Sequence, residues 1–312
     1  MIPDMKYIQP LVIAALFTVV LLPACTADAQ NEPAVPSLPT GVMDRFAEMD
    51  VAVSGGQVPV IYTPGFEQRA FQVRDELKEA SRFFESRLQV QHVYNVAILD
   101  EAHWGNVTPV PYGFPHPSAD LTVVFLPAHT DVPATQEYVN RYQDATPEVI
   151  RGISASGYEF TGAAEKMIDI IGFHELGHLY SYAAGIRMHS NWFSEFMANY
   201  FTCYYLQVEK PELAAIWENM AELVVAGQRP AYTSIPDFEQ IYVGVGISNY
   251  TWYQSMFILK AASVVRERGI GFIHDVINAF PAGSDEPGLT ISEQTARLEA
   301  IHPGFASWLA TF

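Results

Sequence analysis

The sequence predicts an α+β chain: a small N-terminal mixed β-sheet with a helix packed on it, followed by a mostly α-helical C-terminal lobe. Three observations carry that expectation. The β-rich runs Val58–Tyr62, Val93–Leu99 and Leu121–Leu126 all fall early in the chain. Between the first two, Ala70, Val73, Leu77, Ala80, Phe84 and Leu88 recur at helical spacing. Further on, helical patterns dominate, broken at Gly185, at Lys210-Pro211 and at Gly227. Strand, helix, strand, loop, strand makes a small α/β layer over 41–140. The helical lobe then spans 141–312, and the two lobes are expected to form one catalytic unit.

Composition narrows the class. A chain of 312 residues that is 49% hydrophobic and 13% aromatic can bury a sizeable core, unlike a disordered one. Lys+Arg number 17 against Asp+Glu 35, a net charge of −18. Phosphate neutralisation needs the opposite sign, so no nucleic-acid partner is expected. The acidity favours basic substrates or serves solubility, and solubility is the simpler reading.

Residues 1–29 read as an export signal. Lys6 gives a sparse positive end and Leu11 to Leu22 an apolar core too short for a comfortable membrane span. Two cleavage readings compete. Ala27-Asp28-Ala29 suits ordinary secretion, whereas Leu22-Pro23-Ala24-Cys25 resembles a bacterial lipobox in which Cys25 carries a lipid anchor. Either places the mature protein outside the cytoplasm, in the envelope, the periplasm or the medium. Residues 30–40 are Pro-rich and polar, a linker. Cys203, the other cysteine, sits in an apolar run and reads as a small buried thiol, so no disulfide scaffold is expected.

The elements follow in order. Val58–Tyr62 is a strand stopped by Pro64-Gly65, and a helix runs from Glu67 to Leu88. The strand ending at Leu126 is closed by Pro127, after a loop from Trp104 to Pro117 rich in Gly, Pro and aromatics. Thr161 is the expected N-cap of a helix reaching Ala184, with Glu165 near its positive end and Gly185 as its stop. A second helix carries Glu195 and ends before Lys210-Pro211; a third runs from Pro211 to Ala226, with Gly227 after it. Thr290-x-x-Glu293 is a capping box, and Trp308-Leu309 is expected to dock the tail. No internal repeat is found.

The chemistry concentrates in His174-Glu175-Leu176-Gly177-His178. Positions i and i+4 share a helix face, so His174 and His178 can aim at one point with Glu175 beside it. That is the layout of a Zn2+ site with its own general base. Downstream, Glu195 is a carboxylate in an otherwise apolar helical run, costly to bury without a positive partner. It would complete a His, His, Glu set with a fourth position open to water. Asn199, one turn on, is placed to hydrogen-bond a ligand histidine. The remaining histidines show no ligand spacing and read as surface or turn residues; His189, between the two helices, is a turn residue.

His174-Glu175-x-x-His178 followed by a glutamate on a second helix resembles the gluzincin metallopeptidases, which include thermolysin-like enzymes and the zinc aminopeptidases. The motif-level resemblance covers 172–200, with a weaker one over 70–260. It implies a zincin-like fold, peptide or protein substrates, zinc ligation by His174, His178 and Glu195, and Glu175 as catalytic base. It also implies that an edge strand runs above the helix and pairs with substrate, so that Tyr112, Gly113 and Phe114 or the following strand line the cleft rim. A rigid connection is the plainer alternative. A tyrosine at a loop-to-helix junction donates to the oxyanion in the aminopeptidase branch. Tyr253 aligns best with it by its following apolar spacing, Tyr250 is the alternative, and Tyr242 stands third.

Two departures are visible. The interval from His178 to Glu195 is slightly shorter than in the best-known members, and Asn199 stands where thermolysin-like enzymes have aspartate. The aminopeptidase segment GxMEN is absent, and exo- versus endo-cleavage stays open. Two other readings remain: a non-catalytic envelope lipoprotein stabilised by zinc, and a zinc hydrolase acting on a non-peptide amide or ester.

Overall fold

The computed structural model describes residues 40–227, 229–283 and 287–312. The expected export signal with Cys25, and the linker up to residue 39, lie outside the described residues. The chain is mixed α/β: a five-stranded mixed sheet near the N-terminus, then a mostly helical remainder.

Helix α1 (Thr40–Phe46) leads into strands β1 (Ala52–Ser54) and β2 (Val60–Tyr62), then helix α2 (Glu67–Leu88). Strand β3 (Asn95–Leu99), helix α3 (Glu101–Val107) and strands β4 (His116–Pro117) and β5 (Val123–Pro127) complete the sheet. Its order is β1-β2-β3-β5-β4, with β2, β3 and β5 parallel and the edges β1 and β4 antiparallel. Successive side chains point to opposite faces. Val60, Tyr62, Val96, Ile98, Val124 and Leu126 join the main core under α2. Ile61, Ala97, Leu99, Val123 and Phe125 join a smaller core with Phe46 and Trp104. Both faces are covered, which is why these strands read as unbroken apolar runs rather than alternations.

Strand boundaries depart from the sequence reading where burial ends. Val93 is 74% exposed and precedes β3. Leu121 has φ +56 and belongs to a turn before β5. The stretch from Trp104 to Pro117 is not all loop, since α3 holds Trp104 at one end and β4 forms at the other.

Helices α4 (Pro133–Val139) and α5 (Pro147–Ala155) precede α6 (Phe160–Ala183), the spine of the molecule. Thr161 is not the N-cap of α6: the helix starts at Phe160, with Glu159 at the cap and no side-chain bond. Glu165 instead accepts from Thr130 Oγ1 at 3.3 Å. After α6 come α7 (Asn191–Glu209), α8 (Pro211–Ala226), α9 (Ile235–Ile241), α10 (Ile247–Arg268), α11 (Ile270–Ala279), α12 (Ile291–Ile301) and α13 (Phe305–Leu309). The capping box at Thr290 and Glu293 forms. Trp308 packs on Phe196, Phe257 and Phe305, tying down the tail.

One hydrophobic core runs from Val58, just before β2, to Phe305 near the C-terminus, so the α/β and helical parts share their packing. Gly172 faces Leu126 and Leu77, letting α6 lie close to β5 and α2; a Cβ there would meet Leu126 at 3.0 Å. A polar clamp adds to this. Asp169 on α6 accepts from Arg69 of α2 at 2.9 Å and from Lys166 at 3.0 Å, and Lys166 also reaches Glu76 of α2 at 3.1 Å. Cys203 is a buried free thiol. No helix among the described residues is long and apolar enough to cross a membrane.

Candidate metal centre

His174 and His178 project from one face of α6, their Nε2 atoms 3.2 Å apart. Two N–H groups cannot point at each other at that distance, so at least one ring presents a lone pair. His174, Glu175 and His178 offer ligand atoms within 4.8 Å of one another, and this buried group could hold a metal ion.

Helix α7 brings a second carboxylate. Glu195 Oε2 lies 3.0 Å from His174 Nε2, and its Oε1 lies 3.6 Å from His178 Nε2. The approach depends on Gly177, because a Cβ there would stand 2.5 Å from the carbonyl oxygen of Ala198 and 2.8 Å from its Cα. Ala198 sits between Glu195 and Asn199, so the bare glycine lets both reach across. The start of α7 is held by Glu239 of α9, whose carboxylate accepts from Asn191 N at 3.0 Å and Trp192 N at 2.7 Å. A carboxylate at a helix N-terminus satisfies otherwise orphaned donors.

The periphery is dense with hydrogen bonds. Asn199 Oδ1 lies 3.2 Å from His174 Nδ1, and Ser194 Oγ lies 3.3 Å from His178 Nδ1. Tyr242 donates to Glu195 Oε1 at 2.5 Å, Tyr250 to Oε2 at 3.2 Å, and Gln254 Nε2 to Oε2 at 2.6 Å. Asn199 Nδ2 in turn donates to the Glu195 carbonyl at 2.9 Å and to Gln254 Oε1 at 2.7 Å.

Electrostatics sort the four titratable groups. Burial pushes the Glu175 carboxyl up to about 8, and the neighbouring Glu195 charge adds to this. Burial drives His178 down to about 4. Burial opposes charge on His174 too, but its bond to Glu195 and the two nearby carboxylates outweigh it and raise the imidazole. Burial likewise opposes charge on Glu195; the two imidazoles and the Tyr242 hydroxyl overcome it and hold the carboxyl well below its usual range. Both tyrosines are raised by burial and by the Glu195 charge, and so remain donors.

Beside His174 and Glu175 opens a mainly apolar cavity of ≈ 80 Å³. Phe114, Tyr138, Ile171, Trp217, Tyr250 and Ile258 are among its walls.

The structure therefore brings His174, Glu175, His178, Glu195 and Asn199 together, with Tyr250 at the wall. It does not bring Tyr253. That hydroxyl donates to the Ser234 carbonyl at 2.8 Å, and the ring packs on Phe238 and Phe312. On α10, Tyr250 and Gln254 share a face, and Tyr253 is turned roughly 100° from Gln254. Tyr242, third in the sequence reading, makes the shortest tyrosine contact instead. Of the expected rim, Phe114 lines the cavity. Gly113, at φ +91, turns the chain against Val132. Tyr112 faces elsewhere, against Trp104 and the His129 amide. His189 lies in the connection between α6 and α7, and its Nδ1 accepts from the Leu289 amide before α12 at 3.1 Å.

Gln254 and Ser194 escape the sequence reading. Gln254 carries the signal that exposed Glu195, a polar side chain in an apolar helical run. Ser194 carries none, being an ordinary residue in the first turn of α7.

Comparison of the chain with protein-family models, with curated proteins and with solved structures returns no match.

Proposed function

We infer that the chain is an exported zinc-dependent hydrolase of peptide bonds, similar to the gluzincins, with His174, His178 and Glu195 holding the ion and Glu175 as general base. One observation carries the reading. Ligand atoms about 2.0–2.1 Å from a tetrahedral zinc ion stand about 3.3 Å from one another. The separations here are 3.2 Å between the two Nε2 atoms, and 3.0 and 3.6 Å from them to the nearer Glu195 oxygens. The donor set of two imidazoles and one ionised carboxylate suits the same ion.

When bound, zinc supplies Lewis acidity toward a water and a carbonyl group. Glu175 is the proton carrier: it adjoins the ligands in sequence, is 5% exposed, and has no hydrogen bond that would tie up its oxygens among those formed by the described side chains. Burial holds its carboxyl at about 8 without a cation, and the positive charge of a bound one would ionise it; it would then take a proton from the attacking water and return it to the leaving amine. Tyr250, on the cavity wall, donates to Glu195 Oε2 at 3.2 Å and would turn that one proton to the carbonyl oxygen as charge develops there. The apolar cavity next to Glu175 excludes water and accepts an apolar substrate side chain.

Metal analysis of the purified protein, joined to cleavage of a peptide library with and without chelator, tests the reading. Stoichiometric zinc and chelator-sensitive cleavage are expected. Zinc binding with no cleavage of any peptide, and activity on esters or other amides instead, would move the substrate class; absence of bound zinc would remove the proposal.

A further inference from the structure

Asn199 touches His174, but its amide does not stand alone. An amide has one donor end and one acceptor end, and which end faces which neighbour decides what a histidine beside it can do. Here both ends are dictated by groups that only accept. The Glu195 main-chain oxygen, 2.9 Å from Asn199, requires the NH2 end there. The Glu195 carboxylate, 2.6 Å from Gln254, requires the NH2 end of that amide. The carbonyl end of Gln254 is then left for Asn199 at 2.7 Å, and the carbonyl end of Asn199 for His174 Nδ1 at 3.2 Å. Nδ1 must therefore donate, so that once Nε2 gives up the proton it shares with Glu195, its lone pair is the one that faces a cation between His178 and Glu195.

We propose that Gln254 is the positioning residue of this centre, a single amide on α10 that anchors the Glu195 carboxylate and the Asn199 amide together and so directs His174 Nε2 at the cation. The inference rests on the metal reading above, not on the identity of the substrate. Asn199 is fully buried and Gln254 is 9% exposed, so water does not readily replace either partner. An ionised carboxylate has about four acceptor sites. Tyr250 and Gln254 take the two at Oε2 and Tyr242 one at Oε1, which leaves one site on Oε1, the oxygen 3.6 Å from His178 Nε2. Gln254 thus acts on two ligands from a third helix, without being a ligand itself.

The test is a double-mutant cycle read by zinc affinity in a competing chromophoric chelator, and by the visible spectrum of the cobalt(II)-substituted full chain. Gln254→Met keeps length and removes both polar ends; Gln254→Leu is a second shape should the first not fold. Each is expected to bind zinc about 10–100-fold more weakly and to shift the cobalt bands. Asn199→Ala should do likewise. The double variant should lose little more than the worse single one, because both act through one chain of bonds. Ser255→Ala, next on α10 with its hydroxyl donated to the Thr251 carbonyl at 2.7 Å, should keep wild-type affinity. Wild-type zinc affinity in a folded Gln254 variant, or losses that multiply in the double variant, would overturn the proposal. A wild-type chain that binds zinc but cleaves no peptide sinks the peptidase reading alone; one that binds no zinc sinks both.

Discussion

Gly177 of α6 lies so close to Ala198 of α7 that any side chain would strike the backbone: an added Cβ falls 2.5 Å from the Ala198 carbonyl oxygen. This contact sets the distance between the helix carrying the histidines and the helix carrying Glu195. Gly177→Ala should gain up to ~1 kcal/mol in helix propensity, yet overpacking against rigid backbone costs about 1–3 kcal/mol. Net destabilisation is expected in urea melts, with weakened zinc binding. Gly162→Ala, on the same helix with nothing nearer than Tyr158 at 3.9 Å, should stabilise instead. Equal effects from the two would mean that the close approach is not what matters.

Glu175→Gln should retain stoichiometric zinc while lowering turnover about 10²–10⁴-fold, the usual contribution of a positioned base. Metal content and steady-state rates on a cleaved peptide check it. Undiminished turnover would remove Glu175 from the mechanism.

Two tyrosines three residues apart should behave oppositely. Tyr250→Phe removes a hydroxyl at the cavity wall and should lower kcat about 10²-fold with little change in KM. Tyr253→Phe removes only the bond to the Ser234 carbonyl, costing roughly 1 kcal/mol of stability and leaving kcat unchanged. If the order reverses, the oxyanion role belongs to Tyr253 and α10 is rotated from the structure described.

The clamp between α2 and α6 carries a pH signature. Burial opposes charge on Lys166, but Asp169 and Glu76 outweigh it and raise the ammonium above 10.5. A group raised on folding stabilises fully below its unfolded value and ceases to do so as pH climbs through the folded one. The stability difference between wild type and Lys166→Met should therefore be constant at neutral pH and shrink above about pH 10.5. Asp169→Ala, which takes the carboxylate from Arg69 and leaves Lys166 with Glu76, should cost about 2 kcal/mol at pH 7. Denaturant melts across the pH range measure both; a flat Lys166→Met difference through pH 11 would contradict the clamp.

Local pattern alone makes several features legible. The helical period puts His174, Glu175 and His178 on one face whatever surrounds them. Unbroken apolar runs announce strands buried on both sides, although Leu121 and Val93, apolar but outside the sheet, show that composition marks such runs better than their ends. Glu195 is legible as a carboxylate in an apolar run, a cost that demands a partner.

Which partners meet is a different matter, settled by helix packing across long sequence separations. The closeness of Glu195 to the paired imidazoles comes from α6 and α7 touching at Gly177. The choice of Tyr250 over Tyr253 comes from the rotation of α10 against α9, where one residue of offset turns a side chain by about 100°. Gln254 joins three helices that no local pattern places together. Short-range periodicity fixes directions along one helix; only the packed core sets the few ångströms between helices on which a metal centre depends.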